Sequence, residues 1–208
     1  MTGDHGDPHA IVGSGYDRIA ERYAVASEET RAEAAYLRGF LDRCLRSIPA
    51  GGTILDLGCG AGLISAELAR RGRVIGVDLS SEQLRLARTR VPAASFVLAD
   101  MSELEVRDGA VDGIAVFWSV IHVRRERHAA LFARMRTWLR PGGVLFGTLG
   151  SGDNPAERDD DFLGAPMYWS HFDAETNRRL LREAGFEVEE ADVARDMDEH
   201  HLWVIARA

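Results

Sequence analysis

From Thr53 onward, the sequence alternates short apolar runs with helical segments, and this alternation restricts the possible folds more than any other feature. The runs TILDL, RVIGVD, SFVLAD, VDGIAVFW and VLFGTL have the composition of buried strands. Helical segments follow the first, second and fourth runs: ISAELARR, SSEQLRLART and RHAALFARMRTWLR. Strands that alternate with helices are joined by right-handed crossovers and form a mostly parallel sheet that helices cover on both faces. The sequence therefore predicts a doubly wound α/β fold, in a single domain over residues 1–208.

The segment before this core is expected to be helical after a mobile start. Residues 1–12 are polar and rich in glycine, which predicts mobility. Residues 13–48 are expected to form N-terminal helices, because apolar residues recur there at helical spacing. A short amphipathic helix is predicted near Tyr16, and a longer one from about Glu28 to Ser47, before the helix-breaking Pro-Ala-Gly-Gly sequence.

Different patterns follow the alternating core. Residues 150–171 are rich in Gly, Asp and Pro and have no clear period, so they are expected to form a long functional loop. The last apolar runs, EVEEADVA and HLWVIARA, predict two strands that close the chain as a hairpin. Two helix starts have cap signals: Asp173 is a candidate N-cap, and Ser80 with Gln83 forms a capping-box pattern.

The composition excludes several classes of function. A formal net charge of −8 disfavours nucleic acid as a partner, because such binding depends on neutralising phosphates. No run is long and apolar enough to span a membrane, and the first residues lack the layout of a secretory signal, so a cytoplasmic protein is expected. The two cysteines form no CxxC pair and no zinc-like cluster with histidine, so no metal is expected.

The chain contains no lysine, since all of its basic residues are arginine. Its absence removes the Schiff-base lysine that pyridoxal phosphate needs and the phosphate-binding lysine of a P-loop. It also removes the Tyr-x-x-x-Lys pair of short-chain dehydrogenases. Enzyme classes that depend on these lysines are therefore excluded.

The most informative motif is a glycine-rich turn at the end of the first predicted strand. It reads Leu-Asp-Leu-Gly-Cys-Gly-Ala-Gly over residues 55–62, and its glycines permit a tight turn on which a ligand can lie directly. In a doubly wound sheet this turn lies at the carboxyl edge, where the strand order reverses and ligands bind. Asp78 ends the second strand, where such folds place a carboxylate against a ribose diol.

These motifs and their order resemble those of the class I S-adenosylmethionine-dependent methyltransferases, and the resemblance covers nearly all of the chain from Tyr16. It includes the Tyr-Asp-x-x-Ala-x-x-Tyr pattern that ends at Tyr23 and the Leu-Arg-Pro-Gly-Gly sequence that starts at Leu139. The family implies a Rossmann-like sheet of seven strands, mostly parallel, with an antiparallel C-terminal strand. It also implies S-adenosylmethionine as the cofactor, S-adenosylhomocysteine as its product, and no metal.

The resemblance also implies a set of cofactor-binding residues. Carboxylates of Asp56, Asp78 and Asp100 suit the ammonium, the ribose diol and the adenine amino group of the cofactor, and aromatic faces attract its sulfonium. The full expected set is Tyr16, Tyr23, Asp56, Gly58, Cys59, Gly60, Gly62, Asp78, Leu79, Asp100, Met101, Phe117 and Trp118.

The methyl acceptor is expected to be a small molecule, since no appended domain for a macromolecule is recognisable. His122 follows the fourth strand at the edge where the acceptor should lie, and it is the candidate general base because imidazole can take a proton from a hydroxyl or an amine. Oxygen is preferred to nitrogen as the acceptor atom for this reason. With residues 150–171 as the acceptor-side loop, the expected pocket residues are Tyr23, Trp118, His122, Tyr168, Trp169 and His171.

Other functions stay open from the sequence alone. The chain could methylate nitrogen, or it could bind S-adenosylmethionine without catalysing a reaction. A more distant alternative is an NAD-dependent oxidoreductase, but its G-x-G-x-x-G fingerprint has glycine where Leu63 stands, and Asp56 and Asp100 are not part of that pattern. Neither nucleic acid nor a membrane is expected as a partner, and the chain could be a monomer or a homodimer.

Overall fold

The computed structural model describes residues 7–32, 35–196 and 199–208. Two helices come first, and strands alternate with helices from Thr53 onward, as predicted. The elements in chain order are α1 (Pro8–Ala32), α2 (Ala35–Arg46), β1 (Thr53–Leu57), α3 (Leu63–Leu68), β2 (Arg73–Asp78), α4 (Ser81–Arg90), β3 (Ser95–Leu98), β4 (Val111–Val116), α5 (His128–Trp138), β5 (Leu139–Gly150), β6 (Asn154–Phe162), β7 (Ala165–His171), α6 (Ala174–Glu183), β8 (Glu187–Asp196) and β9 (Glu199–Arg207). Short 3-10 turns at Val120–His122 and Arg125–Arg127 lie between β4 and α5.

Among the described residues, seven strands form one sheet in the order β3-β2-β1-β4-β5-β9-β8. Strands β1 to β5 are parallel, whereas β9 pairs antiparallel with both β5 and β8. Every residue of the central strand β4 is buried, as expected where helices cover both faces of a sheet. The predicted seven-stranded, mostly parallel, Rossmann-like sheet and its C-terminal hairpin are confirmed.

Apolar clusters hold helices on the sheet. On α2, Phe40 packs edge-on against Phe117 and Trp203, with ring centroids 6.1 and 5.0 Å apart. On α5, Phe132 and Met135 are fully buried in a separate cluster. Buried aromatic and aliphatic side chains of this size are major contributors to folding free energy, so the carboxyl edge of the sheet is a rigid support for a binding site.

The N-terminal helix is longer than the sequence indicates. Helix α1 runs for 25 residues from Pro8 to Ala32, so residues 8–12 of the segment predicted to be mobile are helical, and the short separate helix predicted near Tyr16 is part of this longer one. Residues 1–6 of the segment predicted to be mobile lie outside the described residues. None of the described helices, α1 included, is long and apolar enough to cross a bilayer.

Tertiary contacts explain the early start of α1. Val12 and Ile19 are buried beside Met167 of β7, so the helix is stabilised by packing that its local sequence does not show. The longer helix predicted over residues 28–47 corresponds to the end of α1 together with α2, and residues 33 and 34 between them lie outside the described part of the chain.

Residues 150–171 contain a hairpin, so the prediction of a long loop is wrong. Strand β6 pairs antiparallel with β7 in a separate two-stranded sheet. Strand β6 is exposed at nearly every position, so its polar sequence lacks the alternation from which a strand could be predicted. Strand β7 buries Met167 and Tyr168 against α1, which attaches the hairpin to the rest of the domain.

Both predicted N-caps are present, but the capping box at Ser80 is only half formed, because the Ser80 N–H donates to Asp78 and not to the Gln83 side chain. The hydroxyl of Ser80 accepts a hydrogen bond from the backbone N–H of Gln83 at 3.1 Å. The carboxylate of Asp173 accepts one from the backbone N–H of Thr176 at 2.9 Å. Each cap satisfies a donor that the first turn of a helix leaves unpaired.

Candidate active site

A cavity of about 560 Å³ lies at the carboxyl ends of β1, β2 and β4, beneath α1. Its volume is within the range of roughly 300–1,000 Å³ that is typical of small-ligand sites. The walls come from the glycine-rich turn, the turns after β2 and β3, and the segment after β4. Helix α1 adds a further wall through Val12, Tyr16 and Tyr23. The cavity therefore occupies the place where doubly wound folds bind ligands.

The glycine-rich turn is held close to the strand beside it. The backbone N–H groups of Gly58 and Cys59 both donate to the carbonyl of Val77, at 2.7 and 3.0 Å. Gly58 has a φ of 76°, and a Cβ atom there would lie 2.2 Å from the Cβ of Ser119. Only glycine therefore allows the turn and the segment after β4 to approach each other this closely.

Cys59 lines the cavity as a protonated, packed thiol. Burial raises its pKa well above the usual range, and the negative charges of Asp78 and Asp56 raise it further. Since the thiolate is the reactive form of cysteine, a chemical role for this thiol is disfavoured.

Asp78 is fixed in position by the backbone around it. One carboxylate oxygen accepts the N–H of Gly60 at 2.8 Å, and the other accepts the N–H of Ser80 at 2.9 Å. Burial raises the pKa of Asp78, and the backbone hydrogen bonds act in the opposite direction. Each oxygen can accept a further hydrogen bond, so the carboxylate is arranged to bind a diol at the cavity wall.

The other two predicted acids also line the cavity. Asp56 is only 1% exposed and accepts a hydrogen bond from the hydroxyl of Ser65 at 2.6 Å. Asp100 accepts hydrogen bonds from the backbone N–H and the hydroxyl of Ser102, at 2.7 and 2.9 Å. His9 of α1 lies 3.5 Å from Asp100, which brings the start of α1 to the same wall.

His122 and Tyr16, which both line the cavity, are joined by a hydrogen bond between their side chains. The Nε2 atom of His122 lies 2.9 Å from the Tyr16 hydroxyl, and its Nδ1 atom lies 2.7 Å from the backbone carbonyl of Tyr168. Burial lowers the pKa of His122 to about 4, against the opposing effect of the Tyr168 carbonyl, and the nearby His171 lowers it further. The imidazole is therefore neutral near pH 7.

Aromatic rings line the cavity beside this pair. Tyr16 and Tyr23 are in edge contact with centroids 5.0 Å apart, and Phe117 and Trp118 are 5.4 Å apart. Trp118 has a φ of 50°, which is rare for a bulky residue, and its backbone N–H donates to the hydroxyl of Thr148 at 2.8 Å. Strained backbone of this kind costs on the order of 1–3 kcal/mol and is concentrated at functional sites.

The structure brings most of the predicted site residues together. The residues of the predicted sets that line the cavity are Tyr16, Tyr23, Asp56, Gly58, Cys59, Gly60, Asp78, Leu79, Asp100, Met101, Phe117, Trp118 and His122. Gly62 does not line it and instead precedes α3 as its N-cap.

The aromatic residues predicted from the hairpin region lie elsewhere. Tyr168, Trp169 and His171 do not line the cavity. Tyr168 is buried against α1, Trp169 packs on Phe162 with centroids 5.1 Å apart, and the His171 ring bonds to the backbone carbonyl of Gly152 at 2.8 Å. They lie behind the cavity wall because strand pairing, and not a flexible loop, determines where their side chains are placed.

Several residues of the cavity wall were not predicted. Gln83 is 1% exposed, and its side-chain amide has no hydrogen-bond partner among the described residues. The hydroxyl of Ser119 is likewise buried without a partner there. Arg124 and the α1 residue Val12 also line the cavity. The capping-box pattern predicts a bond from the Gln83 side chain to the Ser80 N–H, whereas the side chain lines the cavity instead. No local signal separates Arg124 from the arginines beside it.

These residues fit S-adenosylmethionine. Unpaired buried polar groups such as the Gln83 amide are costly unless a ligand or water satisfies them, so the cavity is suited to a polar ligand. Gly58 and Gly60 line the cavity and have no side chains, so a ligand can approach the backbone of the turn. Carboxylates on the cavity wall favour a cofactor with an ammonium and hydroxyls over a dinucleotide with an anionic pyrophosphate. Among the described residues, no cluster of three or more His, Cys, Asp or Glu side chains could hold a metal ion.

Asp78→Ala is expected to weaken binding of S-adenosylhomocysteine by roughly tenfold to a hundredfold. The substitution removes the proposed ribose partner and leaves the N–H groups of Gly60 and Ser80 without their acceptor. Calorimetric titration of the purified protein measures the effect. Asp108→Ala, which removes an exposed carboxylate outside the cavity, is the matched control and should bind normally. Equal affinities of the two variants would contradict the assignment.

Comparison with known proteins places this arrangement in a family. Residues 54–143, which include the glycine-rich turn, Asp78, Asp100 and β4, match the family model described as a methyltransferase domain. A trans-aconitate 2-methyltransferase of Paracidovorax citrulli is 35% identical over 164 residues, which are 74% of this chain and 62% of that protein. A malonyl-[acyl-carrier protein] O-methyltransferase of Serratia marcescens is 35% identical over 143 residues, 68% of this chain and 53% of its own length. The match therefore spans less than two thirds of either relative.

Solved structures show the same fold. The 1,6-didemethyltoxoflavin-N1-methyltransferase of Burkholderia thailandensis, solved with bound S-adenosylhomocysteine, superposes with a TM-score of 0.68 at 22% identity. The superposition covers 100% of this chain and 92% of that one. Family model, relatives and fold agree with the motifs and the cavity, and the chain belongs to the class I S-adenosylmethionine-dependent methyltransferase family.

Proposed function

We propose that this chain transfers the methyl group of S-adenosylmethionine to a hydroxyl oxygen of a small molecule, with Tyr16 and His122 removing the hydroxyl proton. The observation that carries the proposal is the hydrogen bond of 2.9 Å between the Tyr16 hydroxyl and His122 Nε2 at the cavity wall. When bound, S-adenosylmethionine supplies an electrophilic methyl group and leaves as S-adenosylhomocysteine.

The hydrogen bond between His122 Nδ1 and the Tyr168 carbonyl determines which ring nitrogen can accept a proton. A carbonyl only accepts, so Nδ1 of the neutral imidazole must carry the hydrogen, and Nε2 then has the lone pair. The Tyr16 hydroxyl consequently donates to Nε2, and a phenol oxygen that donates its proton can also accept a hydrogen bond from a substrate hydroxyl. The chain of hydrogen bonds therefore runs from a protonated nucleophile through Tyr16 to His122.

The low pKa of His122 suits a hydroxyl nucleophile. As a hydroxyl oxygen bonds to the methyl carbon it becomes positively charged while it still holds its proton, and that proton is then far more acidic than an imidazolium. A base with a pKa of about 4 is strong enough to accept it. The hydroxyl proton passes to the Tyr16 oxygen as the Tyr16 proton passes to Nε2, so the phenol is restored.

The same pKa makes His122 a poor base for an amine. A methylated aliphatic amine keeps its proton near neutral pH, because alkylammonium groups have pKa values of roughly 10. A histidine with a pKa of about 4 does not remove that proton. The names of the similar proteins include an O-methyltransferase and an N1-methyltransferase, so the preference for oxygen rests on His122 and Tyr16.

The rate of methyl transfer to a hydroxyl acceptor is expected to stay nearly constant from about pH 7.5 down to about pH 5.5, and to fall only as the pH approaches 4. His122 is neutral and can accept a proton above its pKa of about 4, and it is protonated below that value. The measurement is kcat for S-adenosylhomocysteine formation against pH, with circular dichroism at each pH to confirm folding. A half-maximal rate near pH 6.5, the pKa of an unperturbed histidine, would contradict this assignment.

Two further measurements test the proposal itself. Calorimetry with S-adenosylmethionine, S-adenosylhomocysteine and NAD should give binding of the first two only. Turnover is then compared between acceptors that differ only in the nucleophile: para-hydroxybenzoate and para-aminobenzoate as the aromatic pair, and 4-(hydroxymethyl)benzoate and 4-(aminomethyl)benzoate as the aliphatic pair. Turnover of the hydroxyl members supports the proposal, and turnover of the amines alone would indicate N-methylation. Binding of the cofactor without turnover of any acceptor would favour a non-catalytic binding protein.

A further inference from the structure

Arg124 is an exposed residue of the cavity wall, and among the described residues it has no ion-pair partner. It follows His122 by two positions, lines the same cavity, and is exposed. Its neighbours are engaged elsewhere: Arg125 forms an ion pair with Asp153 at 2.7 Å, and Arg127 pairs with Glu103. Within the described residues, the Arg124 guanidinium forms no ion pair and no hydrogen bond.

An arginine without an acidic neighbour is unusual in this part of the protein. The chain has 33 acidic residues and 25 basic ones, and acidic side chains also face the cavity. Those near Arg124 have partners of their own, because Glu103 pairs with Arg127 and Asp100 bonds to Ser102. Arg124 is therefore a positive charge that a bound molecule can neutralise.

A guanidinium has a specific preference among ligands. Its planar array of donors matches the two oxygens of a carboxylate and binds them as a pair of charge-assisted hydrogen bonds. Arg124 follows His122 by two residues and lines the same cavity as the Tyr16 hydroxyl, so a group bound by Arg124 shares that cavity with the Tyr16–His122 pair.

We propose that the methyl acceptor carries a carboxylate that binds to Arg124, so that the substrate class is a small hydroxy acid. This inference rests on the proposed hydroxyl acceptor. Arg124 fixes one end of the acceptor and thereby directs the hydroxyl at the other end toward Tyr16. Neutral alcohols of the same shape lack this anchor.

The test compares acids with their neutral amides. The protein is saturated with S-adenosylhomocysteine and titrated calorimetrically with ortho-, meta- and para-hydroxybenzoate and with the three matching hydroxybenzamides. Wild type should bind at least one acid roughly tenfold more tightly than its amide. Arg124→Gln should lose this preference, and its affinity for S-adenosylhomocysteine should be unchanged. Arg107→Gln is the control, since it removes the same charge from an exposed arginine outside the cavity.

Three results would overturn the inference. Wild type could bind acids and amides equally, or Arg124→Gln could keep the preference for acids. A tenfold loss of affinity for S-adenosylhomocysteine in Arg124→Gln would instead assign the arginine to the carboxylate of the cofactor. Failure of the proposed function is distinguishable, because it gives aminobenzoates as the only methylated acceptors while the binding preference for acids persists.

Discussion

Gly58→Ala is expected to abolish measurable binding of S-adenosylhomocysteine, a loss of roughly a hundredfold or more. The new Cβ would lie 2.2 Å from the Cβ of Ser119, so the turn and the segment after β4 must move apart. Overpacking of this kind costs about 1–3 kcal/mol, and the left-handed backbone at Gly58 adds about 1–2 kcal/mol for any residue with a side chain. The N–H groups of Gly58 and Cys59 would then leave the carbonyl of Val77, and the surface on which the cofactor lies would be lost.

Gly109→Ala separates the effect of crowding from that of backbone strain. Gly109 has a φ of 63°, but a Cβ atom there would have no neighbour within 4 Å, and the residue lies outside the cavity. This variant should lose about 1–2 kcal/mol of stability and bind S-adenosylhomocysteine normally. Thermal unfolding and calorimetry of both variants provide the comparison. If the two variants have the same unfolding temperature and the same affinity for S-adenosylhomocysteine, the close contact between Gly58 and Ser119 does not determine the shape of the site.

Tyr16→Phe is expected to lower kcat by roughly a hundredfold or more for a hydroxyl acceptor. The substitution removes the hydroxyl that connects the substrate to His122 Nε2. It keeps the aromatic ring, so the edge contact with Tyr23 persists, and affinity for S-adenosylhomocysteine, whose sulfur is an uncharged thioether, should be nearly unchanged. Initial rates at saturating cofactor, together with calorimetry, measure the two quantities separately.

A double-variant comparison shows whether Tyr16 and His122 act together. His122→Ala should lower kcat by a similar factor, and the double variant should be no slower than either single one, because residues that act as a unit are not additive. Tyr36→Phe removes a hydroxyl from α2, outside the cavity, and should be fully active. Losses that multiply in the double variant would mean that the two residues act independently.

The sequence predicts the centre of the site well because the relevant signals are local. The glycine-rich turn and the acids at the ends of β1 and β2 follow directly from motif spacing and strand ends. Parallel strands bring their carboxyl ends to one edge, so residues 22 positions apart, such as Asp56 and Asp78, meet at one cavity. The parallel part of the sheet follows from the alternation of strands and helices, and the C-terminal hairpin follows from the last two apolar runs. The number of seven strands comes from the family resemblance.

The parts that local patterns miss depend on tertiary contacts. The start of α1 is helical because Val12 packs near Met167, which lies far away in sequence. Strand β6 is formed by pairing with β7 and has almost no buried side chains of its own. The sequence indicates Gln83 as a helix-cap partner, but the position of its side chain in the cavity depends on the packing of α4 against its surroundings.

The hydrogen bond from His122 to β7 depends on the backbone of the strand and not on a side chain. Its partner is the main-chain carbonyl of Tyr168, so replacement of the Tyr168 side chain leaves that oxygen in the chain. An insertion or deletion of one residue in β7 would have a larger effect, because it reverses which face of the strand each residue presents. The hairpin should therefore tolerate many changes of residue type and few changes of length.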